Sequence, residues 1–433
     1  MKQRDREIFR LAWPNIISNV SVPLLSSVDT ALMGYLSAEH LGAVGLGSMI
    51  FNFFYWNFGF LRMGTTGMTA QSYGARNKPE ITAVFFRALI VSTLIAILII
   101  VFQNPIVDLG VVAMNATDTQ ADLVKAYVLT RIWAAPATLG LYVLMGWLLG
   151  LQNAVIPMLV TIAINLINIA LSYYLIIVMG YGIRGVALGT VIAQYFGLIL
   201  VLILIAVYFK KYLPRLPFSR IVEWSAYKKF FLINRDIFIR TLCLTFAFAF
   251  FYSQSSKYGE ILLGVNVVLL QFLNWMSYGI DGFAYAAESL VGKYKGAQDF
   301  KILDQTIRRV FLWSSVMAVG YALLYGLGGD LLFRIFTDVD QVIQAAGPYL
   351  LWMALLPIVG FASYIWDGVF VGLTASKAMR NSMLLSLLVY LICYYTLEPH
   401  YGVNALWTSL AAFLLARGLF QHYLFYRKGY ELA

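Results

Sequence analysis

Asp29 stands inside an apolar run, in the segment Ser26-Ser27-Val28-Asp29-Thr30-Ala31. A carboxylate at membrane depth costs about 2.5–3.5 kcal/mol on insertion scales, so it is either held by close polar partners or kept for function. Two readings stay open: a structural acid bonded to its Ser and Thr neighbours, or a site that takes up and releases a coupling ion. Six residues earlier, Pro23 has no N–H for the Asn19 carbonyl and crowds it. This either places a hinge just below Asp29 or serves packing alone.

Asn165, Asn168 and Ser172 follow at i, i+3 and i+7, one stripe of a helix. Amides facing lipid are unsatisfied, so the stripe must point inward, bonding helix to helix at ~0.6 kcal/mol each or lining a cavity. A second polar set lies further on: Asp281 and Glu288 at i, i+7, Asp367, Arg235, and Asp236 with Arg240 at i, i+4. With Arg62, these residues are expected to pair with one another, closing an inner gate or pinning the fold rather than touching substrate. Phe51, Phe53, Phe54, Tyr55, Trp56 and Phe58 are too closely spaced to share one face. Some can wall a cavity suited to flat cations, the rest facing lipid.

Catalytic patterns are missing. There is no Gly-rich phosphate loop with a lysine, and His40, His400 and His422 form no cluster with carboxylates. Cys243 and Cys393 sit in apolar runs without ligand spacing and read as small hydrophobes. No enzyme, metal or cofactor is expected, and without a nucleotide site the chain is not a self-contained ATP-driven pump.

The elements that must position these residues follow from composition. The 433 residues are 61% hydrophobic and 12% charged, with a mean hydropathy of +0.76. Such a chain cannot build a water-soluble surface. Apolar stretches predict spans at 12–34, 43–67, 83–103, 124–149, 156–179 and 185–208, then at 230–252, 262–289, 308–328, 344–370, 382–397 and 402–424. The first is too long for a cleaved signal, given its Asn and Pro content.

The formal charge of +10 is spread over loops rather than one basic face, which argues for anionic headgroups and against nucleic acid. Lys and Arg crowd every second loop (Arg4, Arg6 and Arg10; Arg76 and Lys78; Lys210, Lys211, Arg215 and Arg220; Lys293 and Lys295; Lys377 and Arg380; Arg427 and Lys428). Both termini are therefore expected on the cytoplasmic side of the cytoplasmic membrane.

An internal repeat organises the whole. Tyr73-Gly74-Ala75-Arg76-Asn77 overlies Lys295-Gly296-Ala297-Gln298-Asp299, and Gly150-Leu151-Gln152 overlies Gly372-Leu373-Thr374, both at an offset of 222. Leu41-Gly42-Ala43-Val44 matches Leu262-Leu263-Gly264-Val265 at 221, and Tyr181-Gly182-Ile183-Arg184 matches Tyr401-Gly402-Val403-Asn404 at 220. The prediction is an all-α integral membrane protein: twelve transmembrane helices in two six-helix lobes related by a parallel, pseudo-two-fold repeat. The lobes are residues 1–208 and 230–433, joined by a basic cytoplasmic linker at 209–229. The acid is not repeated, since Phe250 stands 221 residues after Asp29.

These residues resemble the multidrug and toxic compound extrusion (MATE) transporters, and within them the DinF-like branch. The opening resemblance runs from Pro23-Leu24-Leu25-Ser26-Ser27-Val28-Asp29-Thr30-Ala31 to Leu41-Gly42-Ala43-Val44-Gly45-Leu46-Gly47. The branch is marked by Leu61-Arg62-Met63-Gly64-Thr65-Thr66-Gly67, Asn234-Arg235-Asp236, Trp366-Asp367-Gly368-Val369-Phe370-Val371-Gly372 and Met379-Arg380-Asn381-Ser382-Met383.

The resemblance implies export of small organic, often cationic, compounds against inward protons or sodium, by alternating access. It assigns coupling to Asp29, surrounded by Asn168, Ser172 and Thr190. Some relatives carry a second aspartate at the position of Ser172; its absence here favours H+ over Na+. A monomer in membrane lipid is expected. The rival readings are a lipid-linked saccharide flippase of the same plan and, in another class, a membrane-embedded enzyme or receptor.

Overall fold

The computed structural model describes residues 3–34, 38–114 and 118–429, with the side chains of 24–27, 29–31, 33–34, 38–39, 113, 118–119 and 330 outside the described set. All regular structure among the described residues is helical. The helices are α1 (Gln3–Gly34), α2 (Ala38–Asn57), α3 (Phe60–Gly74), α4 (Lys78–Val101), α5 (Gln103–Ala113), α6 (Asp118–Arg131), α7 (Ala135–Gly150), α8 (Val155–Tyr173) and α9 (Gly182–Tyr208). They continue as α10 (Phe218–Ile221), α11 (Trp224–Ser255), α12 (Glu260–Gly296), α13 (Phe300–Phe333), α14 (Asp340–Ala346), α15 (Leu350–Gly372), α16 (Ser376–Tyr401) and α17 (Val403–Lys428).

Ten stretches among the described residues are long and apolar enough to cross a membrane. The first two expected spans fall on α1 and on the α2–α3 pair, outside these ten. Most helices run a turn or more beyond the apolar spans, because apolarity marks hydrocarbon depth whereas the backbone ladder continues into the interface. Outward apolar residues are abundant, Leu327 being 88% exposed, as a lipid-facing surface requires.

The repeat is written into the helix ends. Among the described residues, Arg76, Gln152, Gln298 and Thr374 are the non-glycine residues with positive φ, at 53°, 65°, 56° and 53°. Each follows a helix, and the next amide closes back five residues: Asn77 on Ser72, Asn153 on Leu148, Asp299 on Tyr294 and Ala375 on Phe370, at 2.8–3.0 Å. Arg76 pairs with Gln298, and Gln152 with Thr374, at the offset of 222 found in the sequence. Asn77, Asn153 and Asp299 then cap the following helices, accepting from the amides of Glu80, Ile156 and Ile302 at 3.0–3.1 Å.

Helix packing repeats at the same offset. A Cβ at Gly146 or Gly150 of α7 would strike the α3 carbonyls of Arg62 and Thr66. One at Gly368 or Gly372 of α15 would strike the α12 carbonyls of Ala284 and Glu288. Small residues let each helix pair close backbone to backbone, the usual basis of helix association in lipid.

The chain forms two compact units, Ile17–Phe230 and Phe231–Ala433 with Met1–Ile16. The first is built round buried Trp147, whose indole N–H donates to the Ile81 carbonyl at 3.1 Å and which packs among Ile81, Phe85, Leu144 and Val160. The stretch 209–229 docks on α4 within this unit. Arg87, 1% exposed, holds Glu80 at 2.9 Å and donates to the carbonyls of Arg220 and Ile221 at 2.6 and 3.2 Å. Thr82 adds a bond to the Tyr212 carbonyl at 2.8 Å.

The second unit takes in the first half of α1, which the sequence division placed within 1–208. Asp5 accepts from the Trp313 indole at 3.0 Å and lies 3.8 Å from Arg309. Glu7 accepts from Tyr294 and lies 3.9 Å from Lys293, and Arg4 donates to Tyr294 Oη at 2.8 Å. Gly282 leaves room for the Ala12 carbonyl and Ile16.

Candidate functional site

In the unit Ile17–Phe230 the predicted stripe converges as a hydrogen-bonded set. The amide of Asn168 donates to Thr190 Oγ1 at 3.0 Å, and the hydroxyl of Ser172 donates to Asn168 Oδ1 at 3.4 Å. Thr190 in turn donates to the Val186 carbonyl at 3.1 Å. Asn165 donates to Ser21 of α1, at 3.0 Å to Oγ and 3.3 Å to the carbonyl. Asn165, Asn168, Ser172 and Thr190 are all buried.

Two local features position them. Gly185 and Gly189 let α9 press against Leu175 and Ser172, and α8 gives way to a π-helical turn at Tyr174–Val178 just after Ser172. Such turns interrupt the regular ladder and occur disproportionately at functional sites. The set is neutral, built from hydroxyls and amides on α8, α9 and α1. The α1 helix runs unbroken through Pro23 to Gly34. Asp29 falls on it two turns beyond Ser21, with its side chain outside the described residues.

Elsewhere in the same unit, Phe51, Phe54 and Tyr55 line a small apolar pocket with Ile50, Val128 and Ile132. Phe53 and Trp56, both half exposed, lie outside it. The sequence reading passed over Arg131, whose guanidinium stands 4.8 Å from the Phe51 ring and donates to Tyr127 Oη. Arg62, grouped by sequence with the second-lobe network, belongs to α3 and thus to this first unit.

The second unit contains a buried ionic cluster. Asp367 of α15, 5% exposed, accepts through Oδ2 from both Arg240 of α11 and Arg417 of α17, the latter at 2.7 Å. Its Oδ1 accepts from Gln421 Nε2 at 2.7 Å. The expected pair of Asp236 with Arg240 is therefore corrected. Asp236 instead accepts from Arg380 at 2.7 Å and from Arg235 and Ser376 at 3.2 and 3.3 Å. A buried carboxylate needs several donors, and groups arriving from α16 and α15 satisfy both α11 side chains better than one turn of helix does.

Glu288 is buried on α12 and Asp281 partly so. Arg417 and Gln421 were missed by the sequence reading. The available signal was an arginine inside the apolar run 402–424. Two guanidiniums on Oδ2 and an amide on Oδ1 thus hold Asp367 from three side chains. No group of three or more His, Cys, Asp or Glu able to hold a metal occurs among the described residues.

A family model described as MatE matches residues 14–174 and 237–396, one copy in each half. DNA damage-inducible protein F of Escherichia coli K12 is 35% identical over 96% of this chain and 90% of its own length. The chain belongs to the MATE family. Its similarity to the E. coli protein places it in the DinF-like branch, among multidrug and toxin efflux transporters. A probable multidrug resistance protein NorM of Thermotoga maritima is 25% identical over 78% of this chain and 74% of its own. The fold matches that of a multidrug resistance MATE transporter solved in an outward-facing conformation, with a TM-score of 0.90 at 19% identity over 98% of this chain and 96% of that one.

Proposed function

We propose that this MATE transporter is a proton-coupled antiporter of the cytoplasmic membrane with both termini inside, exporting small organic solutes by alternating access. Asp29 is its coupling carboxylate. The observation that carries the reading is the convergence of Asn165, Asn168, Ser172 and Thr190 on one buried wall, bonded to α1 two turns before Asp29. Proton uptake at Asp29 and solute binding beside this wall compete, and Pro23 lets α1 bend as the cavity empties.

Protons are favoured over sodium on ligand chemistry. A sodium ion wants several oxygens and more than one negative charge, and the wall around Ser172 offers neutral groups only. In the second lobe, Asp367 is already occupied by arginines.

The test is efflux from proteoliposomes, first under an imposed pH gradient and then under a sodium gradient. Wild type should respond to the first alone, and Asp29→Asn should fold normally yet lose the response. Full pH-driven efflux by Asp29→Asn, or efflux driven by sodium at constant pH, overturns the assignment.

A further inference from the structure

The second-lobe cluster is not closed on itself. Asp367 and the two arginines leave Nε and Nη1 of Arg417 and Nε of Arg240 with no hydrogen-bond acceptor, and Gln421 Oε1 has no donor. Arg417 is 1% exposed, so bulk water does not satisfy it. The rings of Tyr364 and Phe413 lie 5.6 Å from its guanidinium carbon. They offset part of its charge but accept none of the in-plane N–H bonds that a guanidinium donates. Charged donors left unpaired at this depth call for an acceptor from outside the chain.

The charge count points the same way. Arg240 and Arg417 bring two positive charges against the one carboxylate they share. One positive charge is left over, which a single negative group neutralises and a doubly charged one overshoots. Arg240, Tyr364 and Asp281 are partly exposed while Arg417 and Gln421 are buried. The unpaired N–H groups themselves are closed to solvent, so a solute reaches them only when the packing over Arg417 opens.

We propose that the second lobe holds a carboxylate-binding subsite, in which the unpaired N–H groups of Arg417 and Arg240 receive the single negative group of an amphipathic organic solute. Gln421 Oε1 remains to accept a hydrogen bond from a neighbouring hydroxyl or amide of the same solute. The subsite gives the transported class a polarity that the aromatic pocket of the first lobe does not specify. It rests on the efflux reading for its purpose, but its occupancy needs no gradient.

The experiment is equilibrium binding of tritiated 1-naphthylacetate to the purified full-length protein in detergent, with competition by probes of matched size. The carboxylate should bind at least ten-fold more tightly than 1-naphthylacetamide, 1-naphthylmethylamine or 1-naphthyl phosphate. Arg417→Lys and Arg240→Lys keep the charge but lose guanidinium donors, and each should weaken binding at least ten-fold without changing the elution profile. Asp108→Ala, which removes an exposed ion pair with Lys125, should bind normally, and because the assay applies no gradient, loss of this subsite is told apart from loss of coupling. Equal binding of the amine, tighter binding of the phosphate ester, or unchanged binding by Arg417→Lys overturns the proposal, and the wild-type comparison stands even if a variant fails to fold.

Discussion

Asp367→Ala isolates what the second-lobe cluster contributes to stability. The substitution leaves Arg417 and Arg240, whose side chains are 1% and 11% exposed, facing each other without their shared counter-charge. Removing one member of a buried ion pair costs about 3–5 kcal/mol, because the desolvated partner stays behind uncompensated. For a lobe of about 200 residues each kcal/mol moves the melting temperature by about 2–4 °C, which gives a fall of roughly 6–20 °C.

The assay is thermal unfolding of detergent-purified protein followed by size-exclusion chromatography. Lys125 and Asp108 form an ion pair at 2.9 Å with side chains 42% and 63% exposed; Asp108→Ala should leave the melting temperature within error. The triple variant Asp367→Leu, Arg240→Met, Arg417→Leu should regain most of the loss, since a packed apolar replacement removes the stranded charges along with the bridge. If Asp367→Ala melts no lower than Asp108→Ala, the cluster is not buried as described and the reasoning fails.

Two further outcomes test how the helices and the linker are held. Gly368→Ala forces a Cβ onto the Ala284 carbonyl and should cost about 1–3 kcal/mol by overpacking, whereas Gly45→Ala, with nothing within 4 Å, should be neutral or mildly stabilising in the same melting assay. Arg87→Ala should free the chain round Arg220 from α4, so trypsin should cut at Lys210, Lys211, Arg215 and Arg220 several-fold faster; unchanged cleavage would show that Thr82 and packing hold the linker unaided.

The lobes and their repeat were legible because bilayer thickness imposes span length and helix ends demand particular turns. Residues Arg76, Gln152, Gln298 and Thr374 show this well: the offset of 222 seen in letters reappears as four left-handed turns. The Asn165–Ser172 stripe was legible for the same reason, since helical periodicity alone puts those amides on one face. Partner choice was less so. Asp236 and Arg240 satisfy a local helix rule, yet each finds donors or acceptors more than a hundred residues away. Arg417 was lost because a run read for apolarity hides its single charged member, and Arg87 escaped in the same way. The division of α1 between units was beyond reach, because continuous helix and continuous hydropathy conceal a change of packing partner.

The attachment of the first turns of α1 to the second unit also orders events during synthesis. Glu7 waits for Tyr294, 287 residues later, and Asp5 for Trp313, 308 residues later. At about 5–20 residues per second, the start of the chain spends roughly 15–60 s without its partners. The amino terminus is made first and seated late. A ribosome stalled within α11 would hold a nascent chain whose first unit is nearly whole while its leading segment is still undocked.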